Sequence, residues 1–162
     1  MKLSAHFDLA EFTRSESAKR HGVSNEPTPE HLENIKVLCE RVLEPIRMFN
    51  AGPLNISSGY RSKTLNHFIG GAINSDHSFG RAADIDQDDS SSNYTNNDIF
   101  HFIKDNLKFK QLIAEFPVNG KLGWVHVSYD SNNLKNEILI ATGKTAGRTN
   151  YVTYKGNEKL VK

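Results

Sequence analysis

Ser75-Asp76-His77-Ser78-Phe79-Gly80-Arg81-Ala82-Ala83-Asp84-Ile85-Asp86 is the stretch on which the reading of this chain turns. It puts a histidine in a loop that Gly80 can bend back on itself, and a carboxylate, Asp84, in a short alternating run that reads as a strand leaving that loop. Further along, Trp124-Val125-His126-Val127-Ser128 alternates so that Trp124, His126 and Ser128 share one face while Val125, Val127 and Tyr129 share the other. His126 can therefore leave the apolar side and face a cleft. Two imidazoles and one carboxylate, His77, Asp84 and His126, form a zinc ligand set that leaves a fourth position open, as a catalytic rather than a structural zinc requires. Each residue also has a plainer reading: a hydrogen-bonded strand histidine, a turn aspartate, an exposed loop histidine. Their combination with Gly80, Ala82 and Ala83, small where a metal loop must pack against a sheet, favours the metal.

Composition sets outer bounds. At 162 residues the chain is long enough for one domain, spanning 1–162, with a real core, and its net charge of +1 gives no case for a nucleic-acid partner. Lysines are spread along the chain, with a mild C-terminal excess at Lys155, Lys159 and Lys162 that reads as solvated surface. The single cysteine, Cys39, allows no intramolecular disulfide and sits among Ile35, Leu38, Val42 and Leu43, where it reads as core. No apolar run reaches signal-peptide or membrane-span length, so the expectation is synthesis in the cytoplasm without stable membrane insertion.

Local signals place the elements. Asp8 and Ser15 can each cap a short helix, and Gly22 with Asn25-Glu26-Pro27 marks a loop. Thr28 before Pro29 reads as the cap of a long helix in which Leu32, Ile35, Cys39, Val42 and Ile46 recur at helical spacing; Pro45 is expected to kink or end it near residues 43–44. A strand is expected over 54–57, and Ser62 as the cap of a helix over 63–68. Residues 88–97, rich in Asp, Ser and Asn, read as an exposed loop leading to a helix over about 95–107. Strands are expected near 109–116, 122–129, 137–141 and 151–153.

The ordered series Ser57-Ser58-Gly59-Tyr60-Arg61-Ser62, Leu65-Asn66, Gly70-Gly71-Ala72, the run from Ser75 to Asp84, and Trp124-Val125-His126-Val127-Ser128 resembles peptidase family M15, the zinc D-alanyl-D-alanine carboxypeptidases and endolysins that cut peptidoglycan. Phe7-Asp8-Leu9-Ala10-Glu11-Phe12, Ser15-Glu16-Ser17-Ala18 and Val42-Leu43-Glu44-Pro45-Ile46-Arg47 are similar to the N-terminal part of the family's phage-associated branch. The resemblance implies an α+β fold, with N-terminal helices packed on a small, mainly antiparallel sheet of the hedgehog and DD-peptidase type. It implies one zinc per chain held by His77, Asp84 and His126, with Arg61 contacting the substrate or its developing oxyanion. The expected substrate is a peptidoglycan stem peptide or cross-link, cut by carboxypeptidase or endopeptidase action, and the expected state is a monomer that reaches the wall after release or delivery.

One position departs from the pattern. Related endopeptidases often carry an acidic general base three residues before the last histidine, and that residue here is Gly123. Glu115 is the candidate replacement, because strand alternation over 109–116 leaves Gln111, Ile113 and Glu115 on the face opposite Leu112, Ala114 and Phe116. Asp86, which shares a face with Asp84 by alternation, is the alternative, with a supporting role beside a ligand histidine equally open. Arg61, after the turn at Gly59, can bind a carboxylate bidentately or stabilise a tetrahedral intermediate. The rival to an enzyme is a zinc-containing binding or virion structural module of the same fold, for which Gly123 is the best argument.

Overall fold

A computed structural model of the chain describes residues 1–88, 92–156, 158 and 160. The N-terminal half is helical because its caps and apolar spacing agree. Helix α1 (Leu9–Thr13) starts where the Asp8 N–H donates to the Glu11 carboxylate at 2.8 Å, and α2 (Glu16–His21) where Ser15 Oγ accepts the Ala18 N–H. In α3 (Pro29–Leu38), Thr28 Oγ1 accepts the His31 N–H and Pro29 takes the first position. Of the stripe read from the spacing, Ile35, Cys39, Val42 and Ile46 are fully covered while Leu32 is only half-buried against the core, and Leu38 joins the covered set.

Pro45 does not end this helix. One π-helical turn, Cys39–Leu43, intervenes, in which the Glu44 N–H donates five residues back to the Cys39 carbonyl, and the chain continues as α4 (Glu44–Asn50). The wider turn shifts the hydrogen-bond pattern so that Pro45 falls in the first turn of α4, where its missing N–H costs least.

The second half supplies most of a six-stranded sheet in the order β1-β2-β4-β3-β5-β6. The strands are β1 (Ile56–Ser58), β2 (Ala82–Ile85), β3 (Gln111–Glu115), β4 (Trp124–Ser128), β5 (Glu137–Thr145) and β6 (Arg148–Thr153). Only the β3–β5 pairing is parallel, so the fold is α+β with a mainly antiparallel sheet, as expected. The face bearing Ala83, Ile85, Leu112, Ala114, Val125 and Val127 joins α3, α4 and α6 (Asn96–Asn106) in one core. Alternation then turns Asp84, His126, Ile113 and Glu115 to the other face.

Several boundaries differ from expectation. β1 starts at Ile56 rather than 54, and β5 and β6 are longer than expected, forming a hairpin whose exposed residues give little apolar signal. β3 stops at Glu115 because Phe116 takes a left-handed conformation (φ 46°). That swing carries its ring to Trp124, centroids 5.3 Å apart, and away from the face shared by Leu112 and Ala114. The expected exposed loop over 88–97 is also corrected at its end: Asn96 and Asn97 are buried. Asn97 donates to the Gly120 carbonyl and accepts the Leu122 N–H, tying the start of α6 to the turn before β4. Asp89, Ser90 and Ser91 lie outside the described residues, as do Lys159 and Lys162; Lys155 is exposed.

Gly80 fixes the entry to β2. It has φ +69°, and a Cβ there would lie 2.4 Å from the His31 carbonyl oxygen and 2.8 Å from Ile35 Cγ1. Gly147, in the β5–β6 turn, also has positive φ (+78°) but faces open space. Gly80→Ala is therefore expected to cost about 3 kcal/mol, left-handed strain plus overpacking, and Gly147→Ala about 1 kcal/mol, both read from denaturant unfolding midpoints.

Candidate metal centre

Three stretches meet at the site because short-range contacts leave them little choice. Gly59 closes on α1 so tightly that a Cβ would sit 2.6 Å from Phe12 Cα, and the Tyr60 N–H donates to the Phe12 carbonyl at 2.8 Å. Asn25 locks the next turn: its amide donates to the Thr13 and Tyr60 carbonyls, and its oxygen accepts the Ser62 N–H. Helix α5 (Lys63–Phe68) follows with Ser62 as its cap, as predicted. Sequence reasoning missed Asn25, whose role depends on partners up to 37 residues away.

His77 lies on a 3-10 turn, Asp76–Phe79, that leads through Gly80 into β2. The turn is fastened at both ends by ion pairs of 2.7 Å, Lys110 to Asp76 and Arg81 to Asp130. His77 Nδ1 lies 2.6 Å from the Gly59 carbonyl, which can only accept, so this nitrogen carries the proton and Nε2 is left with a bare lone pair. Nε2 is buried without a hydrogen bond, although Asp84 Oδ1 is 3.2 Å away. Burial holds the imidazole below its ordinary pKa despite the opposing pull of Asp84, so it is neutral at neutral pH.

Asp84 on β2 is paired across the sheet with His126 on β4, and His126 Nδ1 is 2.8 Å from Asp84 Oδ1. Burial alone would raise the Asp84 carboxyl, but His77 and His126 outweigh it and hold the group well below the usual carboxylate range. Arg61 Nη2 stands 3.7 Å from the other oxygen, Oδ2. The Arg61 Nε is buried without a hydrogen-bond partner, leaving a donor free.

One ligand atom from each of His77, Asp84 and His126 lies within 4.8 Å of the others. Donors about 2.0–2.2 Å from a tetrahedral zinc stand about 3.3–3.6 Å apart, so the 2.8 Å and 3.2 Å separations from Asp84 Oδ1 to the two imidazoles must open slightly to take one shared ion. The bare, unsatisfied Nε2 of His77 fits the same conclusion. The residues present can hold the metal.

Glu115 and Asp86 part company. Asp86 Oδ1 accepts the Asn96 amide at 3.0 Å, bracing the start of α6. Glu115 pairs with Trp124 in register, on the same face as His126 and diagonal to it, which puts their backbones about 7–8 Å apart, within reach of a long side chain. Burial pushes its carboxyl up to about 7; His126, Arg61 and Lys144 act against the rise and Asp84 adds to it. Gly123 is its immediate neighbour: the Gly123 N–H donates to the Glu115 carbonyl at 2.8 Å, and a Cβ at 123 would sit 3.2 Å from that oxygen. The backbone of Glu115 thus lies directly against Gly123, the position where the resemblance leads one to expect an acid.

A mixed sheet, a His-Asp-His cluster and a glycine-braced loop together make a site that can hold a metal ion. A family model described as Peptidase M15 matches residues 5–128, well over half of the chain, and the chain belongs to that family. Membership points to zinc peptidase activity in general. Among curated proteins, no sequence matches the chain. The β5–β6 hairpin lies beyond the matched residues.

The environment of Glu115 has a consequence for stability. Folding favours its protonated form, so its contribution is full below its ordinary value of 4.5 and is lost as pH rises through about 7. In metal-free protein, Glu115→Gln is expected to match wild type at pH 4 and to be more stable by about 1–3 kcal/mol at pH 8, measured by urea unfolding across that range.

Proposed function

We propose that the protein is a zinc peptidase that hydrolyses peptide bonds in peptidoglycan stem peptides or their cross-links. The observation that carries this reading is the convergence of His77, Asp84 and His126 in a chain of the M15 family. These three residues hold the ion, and zinc bound there supplies a Lewis acid for a carbonyl and acidifies a water molecule.

The chain's own groups supply the rest. Glu115, ionising near neutrality, takes a proton from the attacking water on a carboxylate oxygen and returns it to the departing amine. Its raised affinity for a proton suits both halves of that exchange. Arg61, held beside Asp84 with 20% of its side chain exposed, orients the peptide through a carboxylate or carbonyl oxygen. His77 keeps its orientation through the Gly59 carbonyl, which ties site geometry to the packing of Gly59 on Phe12. The protein acts as a monomer and reaches the wall after release or delivery; no helix among the described residues is long and apolar enough to cross a membrane.

A second reading, a zinc-containing binding or virion structural module, is favoured by one observation, the glycine at 123. Turnover separates the two. Purified protein is expected to carry about one zinc per chain and to release fragments from stem peptides, identified by mass spectrometry, in a reaction that stops with a chelator and returns with zinc. Glu115→Gln is expected to keep the zinc and lose at least about 100-fold in kcat. Cleavage that persists without metal would overturn the peptidase mechanism, and full zinc occupancy without cleavage would establish the binding module.

A further inference from the structure

We propose that Tyr151, on the C-terminal strand β6, completes the catalytic cleft by donating its phenolic hydrogen bond to the peptide carbonyl under attack; this rests on the peptidase reading above. The sheet register carries the argument. Trp124 lies opposite Glu115, Glu115 opposite Ala141, and Ala141 opposite Tyr151, so the four side chains form one row on the face that also bears Asp84 and His126. Strands lie about 4.8 Å apart, which separates the Tyr151 and Glu115 backbones by roughly 10 Å. Only the methyl group of Ala141 stands between them in the row. A tyrosine on the edge strand can lie back across that methyl toward Glu115, where a larger residue at 141 would fill the space.

Electrostatics agree with that placement. Burial is the main cause that raises the Tyr151 phenol, and the negative charges of Glu115 and Asp84 add to it while a hydrogen bond with Thr149 and the charge of Arg61 oppose it. Arg61 in turn feels Tyr151. A phenol that senses these three groups at once stands in their common field, and it keeps its proton at neutral pH. Tyr151 is also 48% exposed, so its hydroxyl can meet a substrate on this face. A donor at the edge of this face that reaches the developing oxyanion would stabilise charge as it forms.

The test uses zinc-loaded, full-length protein and a stem peptide. Tyr151→Phe, which removes only the hydroxyl, is expected to lower kcat roughly 10- to 100-fold with little change in KM, because the bond strengthens in the transition state. Val152→Thr, next door on the opposite face, is expected to keep wild-type kcat. An unchanged kcat in Tyr151→Phe, or a loss confined to KM, overturns the proposal. If wild type cleaves no peptide, the peptidase reading fails and takes the donor role with it. The placement of the phenol is then judged without turnover. Phenolate absorbance, assigned by difference from Tyr151→Phe, should appear at lower pH in Glu115→Gln than in wild type, and a titration that Glu115→Gln leaves unmoved overturns the placement.

Discussion

A carboxylate taken out of water must find positive charge or donors close by; Asp84 finds a donor in His126 and a charge in Arg61, and an ion held between it and the bare Nε2 of His77 would supply the rest. His126 stands 2.8 Å and His77 3.2 Å from one oxygen, and Arg61 3.7 Å from the other. The cost of burying an ion falls steeply only when such partners are held in place, and here each is held by a different part of the fold. His126 comes from the central strand β4, His77 from a glycine-bent loop pinned to α3, and Arg61 from a turn packed on α1. The N-terminal helices therefore serve the site at one remove. They contribute no ligand, yet Phe12, His31 and Ile35 supply the surfaces against which Gly59 and Gly80 must close.

The same dependence explains what could be read in the sequence. His77, Asp84 and His126 were legible because a loop, a strand and a second strand with the right alternation each leave a local pattern, and the caps at Ser15, Thr28 and Ser62 are local chemistry of the same kind. Pro45 misled because its effect depends on the register of the turn before it, and one π-helical turn relocates it harmlessly. Phe116 misled because alternation holds only while the backbone stays extended, and a left-handed residue reverses the face. Asn25, Asn96 and Asn97 were silent: a buried asparagine that staples loops is recognisable only once its distant partners are known.

The parallel pairing of β3 with β5 decides what the C-terminal hairpin can do. β5 runs antiparallel to β4, the strand it follows, but skips past β3 to lie on its far side, so that Ala141 lands beside Glu115 and β6 forms the outer edge. Neither the length of the intervening loop nor the polarity of β6 announces that outcome, since an edge strand with one face in solvent carries weak apolar alternation.

The two carboxylates on this face are driven in opposite directions by their surroundings. Asp84 is buried against the His126 donor and the Arg61 guanidinium and stays ionised; Glu115 is buried where Asp84 adds to its rise, and its proton leaves only near pH 7. Groups pushed apart in this way take separate roles, one a permanent anion and the other a proton carrier. The division follows from position along adjacent strands. Asp84 lies directly opposite His126, whereas Glu115 is diagonal to it and faces Trp124 instead. Exchanging the environments would require shifting the strand register by two residues, which would unpair every side chain in the row. In the proposed mechanism the division between ligand and base follows from the registry of the sheet, and the glycine at 123 leaves the backbone room for Glu115 to approach from the neighbouring strand rather than from the histidine's own.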